Sequence, residues 1–241
     1  SFGTTCKPVV CIHDGECTAP SDCFTASCTD NFTCTSKALD TPECCEPAID
    51  ETLTMDVEGD AIGWEFESCK PKYSEADVNA FWQTSTGVTE ATKPFDPAEG
   101  DQMLYFGNGH DVGGGDLLGS CGTAWSPEFT LADEGVDWLM EFWFYVDVER
   151  TADCGGFGTF DTVHVRVYDV EDEATFGLPL WTKADDVACN EYQKWTKAGV
   201  DLSSWAGTPI RLRIDFDTWD NLENDGAGVA FDAFEFEKGC P

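Results

Sequence analysis

The stretch that decides the fold is residues 211–240, RLRIDFDTWDNLENDGAGVAFDAFEFEKGC, which holds two strand patterns joined by an acidic connection. The first pattern, RLRIDF, alternates charged and apolar residues, which predicts a strand with one buried face. The second pattern changes parity around Asp232, because Phe231 and Phe234 fall on opposite phases of a period of two. A β-bulge near Asp232, or a carboxylate turned inward that needs a partner, would explain the change.

The rest of residues 61–241 repeats this kind of pattern. About ten short apolar or alternating runs are separated by Gly, Pro, Asp and Asn, among them WLMEFWFYVDVE at 138–149 and DTVHVRVYDV at 161–170. None has the period of an amphipathic helix. Short strands at this spacing predict an all-β fold, a jelly-roll-like antiparallel β-sandwich.

Residues 1–47 form a separate, cysteine-rich segment with an internal repeat. CKPVVCIHDGEC and CFTASCTDNFTC share the spacing C-x4-C-x5-C, and a vicinal pair follows. Four disulfides are favoured over zinc, because no C-x2-C knuckle occurs. The segment is therefore predicted to be a disulfide-stapled module, and residues 48–60 a linker or an edge strand. Its eight cysteines are Cys6, Cys11, Cys17, Cys23, Cys28, Cys34, Cys44 and Cys45.

The sandwich region contains five cysteines, an odd number. Cys69 and Cys240 belong to its first and last strands, which often lie side by side, and Cys154–Cys189 would connect two loops. Cys121 is then left as a free thiol, as a partner of the N-terminal module, or as a bridge to another chain. Thirteen cysteines in all indicate an oxidising compartment, so the chain is expected to be secreted, extracellular or at the cell surface.

Acidic residues outnumber basic ones by 47 to 13, a formal net charge of −34. Such a charge repels nucleic acid phosphates and anionic membranes, and no apolar run is long enough to span a bilayer. A solvated acidic surface, a calcium-loaded surface and a basic partner all remain compatible with it. Because like charges repel one another in the folded state, divalent cations or salt should stabilise the fold.

Carboxylates at the ends of predicted strands suggest a site for a hard cation, for which calcium is the natural candidate. Sandwich loops cluster at strand ends, so these residues are expected to meet at one rim, with Asp232 as the inner ligand. They are Asp147, Glu149, Asp161 and Asp232. The acidic connection offers a secondary set, which is Asp217, Asp220, Asn221, Glu223 and Asp225.

Motifs for catalysis are missing from the sequence, which has no H-E-x-x-H, no G-x-S-x-G and no P-loop lysine. Paired carboxylates for glycoside hydrolysis carry little information in so acidic a chain. Trp219 is more informative, because it lies within the acidic connection and should be near the surface. Trp219 is therefore the candidate platform on which a sugar ring could stack.

Several stretches together resemble the MAM-like jelly-roll modules of secreted bacterial surface proteins. They are WEFESC, MLYFGNG, SPEFTL, LMEFWFYVDVE with DTVHVRV, VDLSSWAGTPIRLRIDFDT and GVAFDAFEFEKGC, over about residues 61–240. The ending resembles the family's strand with two adjacent Asp residues, closed by Gly-Cys, although Ala233 replaces the second Asp. The resemblance implies a calcium ligand at Asp232 and an acidic residue of the first strand at Glu67 or Glu65.

The resemblance implies adhesion or carbohydrate recognition, often with structural calcium. We therefore expect a secreted, non-catalytic surface or matrix protein that uses a calcium-stabilised sandwich for adhesion or self-assembly. Its partner would be itself or another surface protein. The alternatives are a lectin-like, glycan-binding module and, with less support, a polysaccharide hydrolase.

Overall fold

The computed structural model describes residues 24–28, 34–38, 55, 57–58, 63–68, 81–89, 94–107, 120–132, 137–156, 160–175, 177–219 and 226–238. In chain order the strands are β1 (Phe24–Cys28), β2 (Cys34–Ala38), β3 (Glu65–Ser68), β4 (Phe81–Ser85), β5 (Met103–Gly107), β6 (Cys121–Trp125), β7 (Phe129–Thr130), β8 (Trp138–Asp147), β9 (Thr162–Asp169), β10 (Ala174–Thr175), β11 (Trp181–Thr182), β12 (Thr196–Asp201), β13 (Pro209–Asp217) and β14 (Gly228–Lys238). One helical turn, α1 (Lys183–Asp186), follows β11.

The first two strands form an antiparallel hairpin within the cysteine-rich segment, with Cys28 opposite Cys34. The other strands form two antiparallel sheets. One contains seven strands in the order β10-β9-β13-β6-β3, with β11 also paired to β9 and β7 to β13. The other contains five strands in the order β12-β8-β14-β5-β4. The predicted all-β, antiparallel sandwich is confirmed.

The core lies between the two sheets and is built by the alternation seen in the sequence. Along β13, Leu212, Ile214 and Phe216 are buried while the residues between them are partly exposed. The rings of Phe106 on β5 and Phe216 meet across the sandwich with centroids 4.4 Å apart. Burial of this apolar surface is the main force that holds the sheets together.

A second, smaller apolar cluster covers the outer face of the five-stranded sheet. Phe95 lies in a segment that forms a β-bridge with Val88, and its ring stacks on Tyr145 of β8 at 3.8 Å between centroids. Trp195 packs against the same cluster. This sheet is therefore covered on both faces, whereas the outer face of the seven-stranded sheet carries polar side chains.

The parity change in β14 is a β-bulge. The register with β8 shifts between Asp232 and Glu235, and Ala233 has a φ of 47°. The extra residue returns Phe234 and Phe236 to the core face on which Phe231 lies. In the part of the chain that the structure describes, no helix has the length and apolar character needed to cross a membrane.

Candidate functional site: a polar groove on the seven-stranded sheet

An open groove of about 450 Å³ lies over β6, β9 and β13, on the outer face of the seven-stranded sheet. The antiparallel pairing of these strands arranges the side chains that line the groove in rows across the sheet. Asp215 on β13 lies between Thr123 on β6 and His164 on β9, and Arg213 lies beside Arg166 in the next row. Because side chains alternate along each strand, the charged residues between the buried apolar ones face the outer side of this sheet, and Arg166, Arg213, Asp215 and Asp217 line the groove.

Trp219 lies at the end of the groove, just after β13, and is 53% exposed. Its backbone has a φ of 63°, in the left-handed region, and its N–H donates to Asp217 Oδ1 at 2.8 Å. The indole Nε1 donates to Thr162 Oγ1 at 3.2 Å. These bonds fix the orientation of a large exposed aromatic ring, and the predicted surface position of Trp219 is confirmed.

Asp215 organises the centre of the groove. Its Oδ1 accepts hydrogen bonds from Thr123 Oγ1 at 2.7 Å and from Arg213 Nε at 2.9 Å. Its Oδ2 lies 3.9 Å from Arg166 Nε. The carboxylate thus binds the guanidinium of Arg213 and lies at a longer distance from that of Arg166, and planar groups of this kind present several hydrogen-bond donors in fixed directions.

The far end of this sheet face is formed by a stack around Trp125. The guanidinium carbons of Arg213 and Arg211 lie 5.2 and 5.5 Å from the centre of the Trp125 ring, within cation–π range. Arg211 also contacts Glu65 Oε2 on β3 at 3.0 Å. Arg211 is therefore engaged in holding β3 and β13 together.

His164 lies in the middle of the groove, with its Nδ1 3.5 Å from Arg166 Nη2. Burial lowers the pKa of His164, and Arg166 lowers it further, while Asp215 and Asp185 oppose the change. The imidazole is therefore mostly neutral near pH 7 and offers one donor and one acceptor.

Three of the carboxylates predicted to bind metal, Asp147, Glu149 and Asp161, lie at the rim where β8 ends. Asp161 Oδ2 accepts the backbone N–H of Glu149 at 2.8 Å. Asp147 Oδ1 accepts a hydrogen bond from Gln193 Nε2 at 2.8 Å, and its Oδ2 accepts one from the backbone N–H of Ala227 at 3.1 Å.

The cation that the structure places beside this cluster is an ammonium group. Lys183 is 1% exposed, and its Nζ donates to the carbonyl oxygens of Glu149 at 2.7 Å and Phe160 at 2.6 Å. Burial lowers the pKa of Lys183 to about 8, against the opposing attraction of Asp161 and Glu149. The sequence did not indicate this residue, because nothing local marks a lysine as buried.

Asp232 does not join that rim cluster, which corrects the single site expected from the sequence. Asp232 pairs with Trp143, whereas Asp147 pairs with Gly228 at the other end of β14. Four residues of strand separate them, or about 13 Å.

Asp232 instead binds the segment that covers the five-stranded sheet. Its Oδ2 accepts the N–H of Glu99 at 3.0 Å, and its Oδ1 accepts the N–H of Ala233 at 2.8 Å. Burial raises the pKa of Asp232 to about 6, backbone hydrogen bonds oppose the rise, and Glu58 adds to it. The carboxylate of Glu58 accepts the backbone N–H of Asp101 and of Gln102.

The other predicted metal ligands lie elsewhere. Glu67 is exposed on β3, in the opposite sheet from Asp232, and Asp217 lines the groove. Asp220, Asn221, Glu223 and Asp225 fall outside the described residues. Among the residues that the structure does describe, no three His, Cys, Asp or Glu side chains are grouped so as to hold a metal ion.

The disulfide Cys154–Cys189 is confirmed and joins two loops 35 residues apart. Cys121 is disulfide-bonded as well, which corrects the free-thiol alternative. Its partner is not among the side chains described. The proposed Cys69–Cys240 pair lies outside the described residues, as do Cys6, Cys11, Cys17, Cys23, Cys44 and Cys45, and only the backbone of Cys28 and Cys34 is described.

Comparisons with known proteins give distant similarities only. No family model matches the chain and no curated protein matches it, so the MAM-like resemblance stays a prediction. Among solved structures, the K1 cleaved adhesin domain of Lys-gingipain from Porphyromonas gingivalis W83 is similar at 15% identity, over 74% of this chain and 90% of that one, with a TM-score of 0.40.

Two carbohydrate-binding modules are similar to the same degree. A module from the β-sandwich superfamily, studied for its promiscuous specificity, is 12% identical over 88% of this chain and 71% of its own, with a TM-score of 0.44. The family 11 module of the Clostridium thermocellum cellulase Lic26A-Cel5E is 8% identical over 77% of this chain and 92% of that one, with a TM-score of 0.39. Similarities of this size assign no ligand to this chain.

Proposed function

We propose that this chain is a secreted, non-catalytic binding protein whose sandwich recognises a glycan in the groove of the seven-stranded sheet. The observation that carries the proposal is Trp219, an indole that is half exposed yet fixed by hydrogen bonds at its backbone N–H and its ring N–H. An exposed aromatic ring costs free energy in water. A ring held rigidly at the end of a groove is suited to stacking against the apolar face of a sugar.

The remainder of the groove supplies the polar contacts that hydroxyl groups need. Arg213 and Arg166 present donors, Asp215 and Asp217 present acceptors, and neutral His164 presents one of each. The groove is open along the sheet, so a chain of sugars could lie across it without its ends being enclosed. Glycan binding therefore becomes our preferred function, ahead of self-assembly, for which the described residues provide no comparable surface.

The proposed setting is extracellular. The Cys154–Cys189 disulfide is typical of proteins in an oxidising compartment, and the net charge of −34 keeps the surface solvated. A glycan-binding groove in such a protein would serve adhesion to a cell surface or matrix. Self-association through a different surface stays a prediction, to be tested by light scattering over a range of protein concentrations.

Calcium is proposed as a structural cofactor beside Asp232. The buried carboxylate of Asp232 and that of Glu58 lie against the same backbone segment, and the charge of Glu58 raises the cost of ionising Asp232. A divalent cation would relieve that cost, and carboxylate and carbonyl oxygens are the ligands calcium takes. Asp232 and Glu58 are the residues we expect to hold it.

The experiment for the groove is a broad glycan array with purified protein, followed by titration calorimetry on the best ligand. Trp219→Ala should lower the affinity by about tenfold or more, as loss of a stacking platform does. Phe81→Ala is the matched control, because Phe81 is also an exposed aromatic but lies on the five-stranded sheet. Binding that is equal in the two variants would contradict the proposal, and sugar release from the array would show a hydrolase instead.

A further inference from the structure

Arginine is scarce in this chain, and its placement is uneven. The sequence has four arginines among 241 residues, and three of them, Arg166, Arg211 and Arg213, lie on β9 and β13. All three point to the outer face of the seven-stranded sheet, and two line the groove. A chain with a net charge of −34 thus concentrates its guanidinium groups on the face that we propose binds a glycan.

Two of these arginines have close partners within the protein. Arg211 contacts Glu65 Oε2 at 3.0 Å and donates to the carbonyl oxygen of Ser126 at 2.6 Å. Arg213 donates to Asp215 Oδ1 at 2.9 Å and lies over the Trp125 ring. Their positions are explained by packing and by pairing within the sheet.

Arg166 differs from both. The side chain is 25% exposed, its Nε lies 3.9 Å from Asp215 Oδ2, and its Nη2 lies 3.5 Å from His164 Nδ1. Both contacts are too long for strong hydrogen bonds. Since Asp215 is already bound by Thr123 and Arg213, the guanidinium of Arg166 presents donors and a positive charge to the groove.

We infer that the groove takes a glycan that carries an anionic group, a uronate carboxylate or a sulfate ester, and that Arg166 is its main polar contact. The inference rests on the proposed function and names its ligand class. A guanidinium matches the geometry of a carboxylate or sulfate with two parallel N–H donors. The indole of Trp219 bonds to Thr162, and Thr162 is four residues from Arg166 on β9, so the stacked sugar and the anionic group would be about 13 Å apart along the strand.

The net charge of the protein predicts how the affinity for an acidic glycan depends on salt. At low ionic strength the protein as a whole repels an anionic polymer, whereas at about 0.15 M salt the repulsion is screened beyond about 8 Å and the groove contact persists. Affinity for an acidic glycan should therefore rise as salt is added from low concentration. Affinity for a neutral glycan should not change.

The test uses chemically matched probes with the full chain. Polygalacturonate is compared with its fully methyl-esterified form, and dextran sulfate with dextran, beside a broad array of neutral and acidic glycans. The wild-type protein should bind at least one acidic form about tenfold more tightly than its neutral counterpart. The uronate and sulfate arms distinguish the two sources of anionic charge.

Three variants separate the role of Arg166 from overall charge. Arg166→Gln should abolish the preference for the acidic form, and Arg166→Lys should keep only part of it, because the planar pair of donors is lost. Lys197→Gln makes the same change in charge on the opposite sheet, where Lys197 pairs with Glu141 and Glu235, and should keep the preference. Circular dichroism and melting curves confirm that each variant is folded.

The outcomes distinguish this inference from the proposed function. Binding of neutral glycans with no preference for acidic ones, or a preference unchanged in Arg166→Gln, would overturn the inference and leave the glycan groove intact. No binding to any glycan on the array would overturn both.

Discussion

The carboxylate of Asp232 accepts a hydrogen bond from the backbone N–H of Glu99 at 3.0 Å, across 133 residues of sequence. The bond fastens the segment that carries Phe95 over the outer face of the five-stranded sheet, where Phe95 stacks on Tyr145. Asp232 faces that segment because it alternates with the buried Phe231, and the bulge that follows returns Phe234 and Phe236 to the core.

The first prediction concerns the pH dependence of stability. Because burial raises the pKa of Asp232 from 3.8 to about 6, the folded protein binds more protons than the unfolded chain between these values. Its contribution to stability is therefore greatest below pH 4 and is lost as the pH rises toward 6. This shift in the pKa of Asp232 corresponds to a loss of about 3 kcal/mol in the free energy of unfolding over that pH range. Urea unfolding between pH 4 and 7, in the presence of a calcium chelator, measures it.

Asp232→Asn should be less stable than the wild type at acidic pH, because an amide nitrogen would meet a backbone N–H, and the gap should narrow as the pH rises. Glu237→Gln, an exposed position on the same strand, is the control and should follow the wild-type curve. Parallel curves for the wild type and Asp232→Asn would contradict the assigned pKa.

The parts of this arrangement that are local could be predicted from the sequence. The alternation in RLRIDF and DTVHVRV identified which residues face the core, and the parity change indicated either a bulge near Asp232 or an inward carboxylate, of which the structure shows the bulge. The partner of Asp232 could not be predicted, because Glu99 contributes a backbone N–H, and almost any residue type could donate that bond. The groove was missed for a related reason. His164, Arg166, Arg213 and Asp215 are ordinary outward positions until β9 and β13 are known to be neighbours.

The second prediction concerns Lys183, whose ammonium group is buried beside Asp161 and Glu149 and bonded to two carbonyl oxygens. Lys183→Met keeps a long side chain but leaves the two carboxylates and the two carbonyl oxygens without the ammonium group. It should lower the free energy of unfolding by about 3–5 kcal/mol, as removal of one member of a buried charge cluster does. Urea unfolding at pH 7 measures the change.

Lys197→Met is the matched control for that measurement. Lys197 contacts Glu141 and Glu235 at 2.8 Å each, but its side chain is largely in water. Exposed ion pairs contribute little, so this variant should change stability by less than about 1 kcal/mol. Equal losses in the two variants would show that burial of Lys183 has no special role.

The third prediction concerns the bulge residue itself. Ala233 has a φ of 47°, a conformation that costs a residue with a Cβ about 1–2 kcal/mol and that glycine adopts freely. Ala233→Gly should therefore stabilise the protein by up to about 1 kcal/mol, after the greater flexibility of glycine in the unfolded chain is included. Ala230→Gly, a buried position on the same strand with ordinary strand geometry, should destabilise it. Thermal melts of both variants decide the matter, and destabilisation by Ala233→Gly would mean that the bulge is not strained.

The fourth prediction concerns calcium. Asp232 and Glu58 are two carboxylates held against one backbone segment in a chain with a net charge of −34. A ligand that binds only the folded state raises stability by mass action, by about 2.7 kcal/mol at a concentration 100 times its Kd. Millimolar calcium should therefore raise the Tm above its value in chelator, and magnesium should do so less because it gives up its water reluctantly.

Variants and salt separate a bound ion from general screening. Sodium chloride should raise the Tm of every variant, because it weakens repulsion among all the acidic groups. The additional effect of calcium at constant ionic strength should disappear in Asp232→Asn and in Glu58→Gln and persist in Glu237→Gln. Loss of the calcium effect in Asp161→Asn instead would place the ion at the rim beside Lys183. A Tm that calcium leaves unchanged in the wild type would show that the ammonium of Lys183 and the backbone N–H groups around Asp232 are sufficient to balance these buried carboxylates.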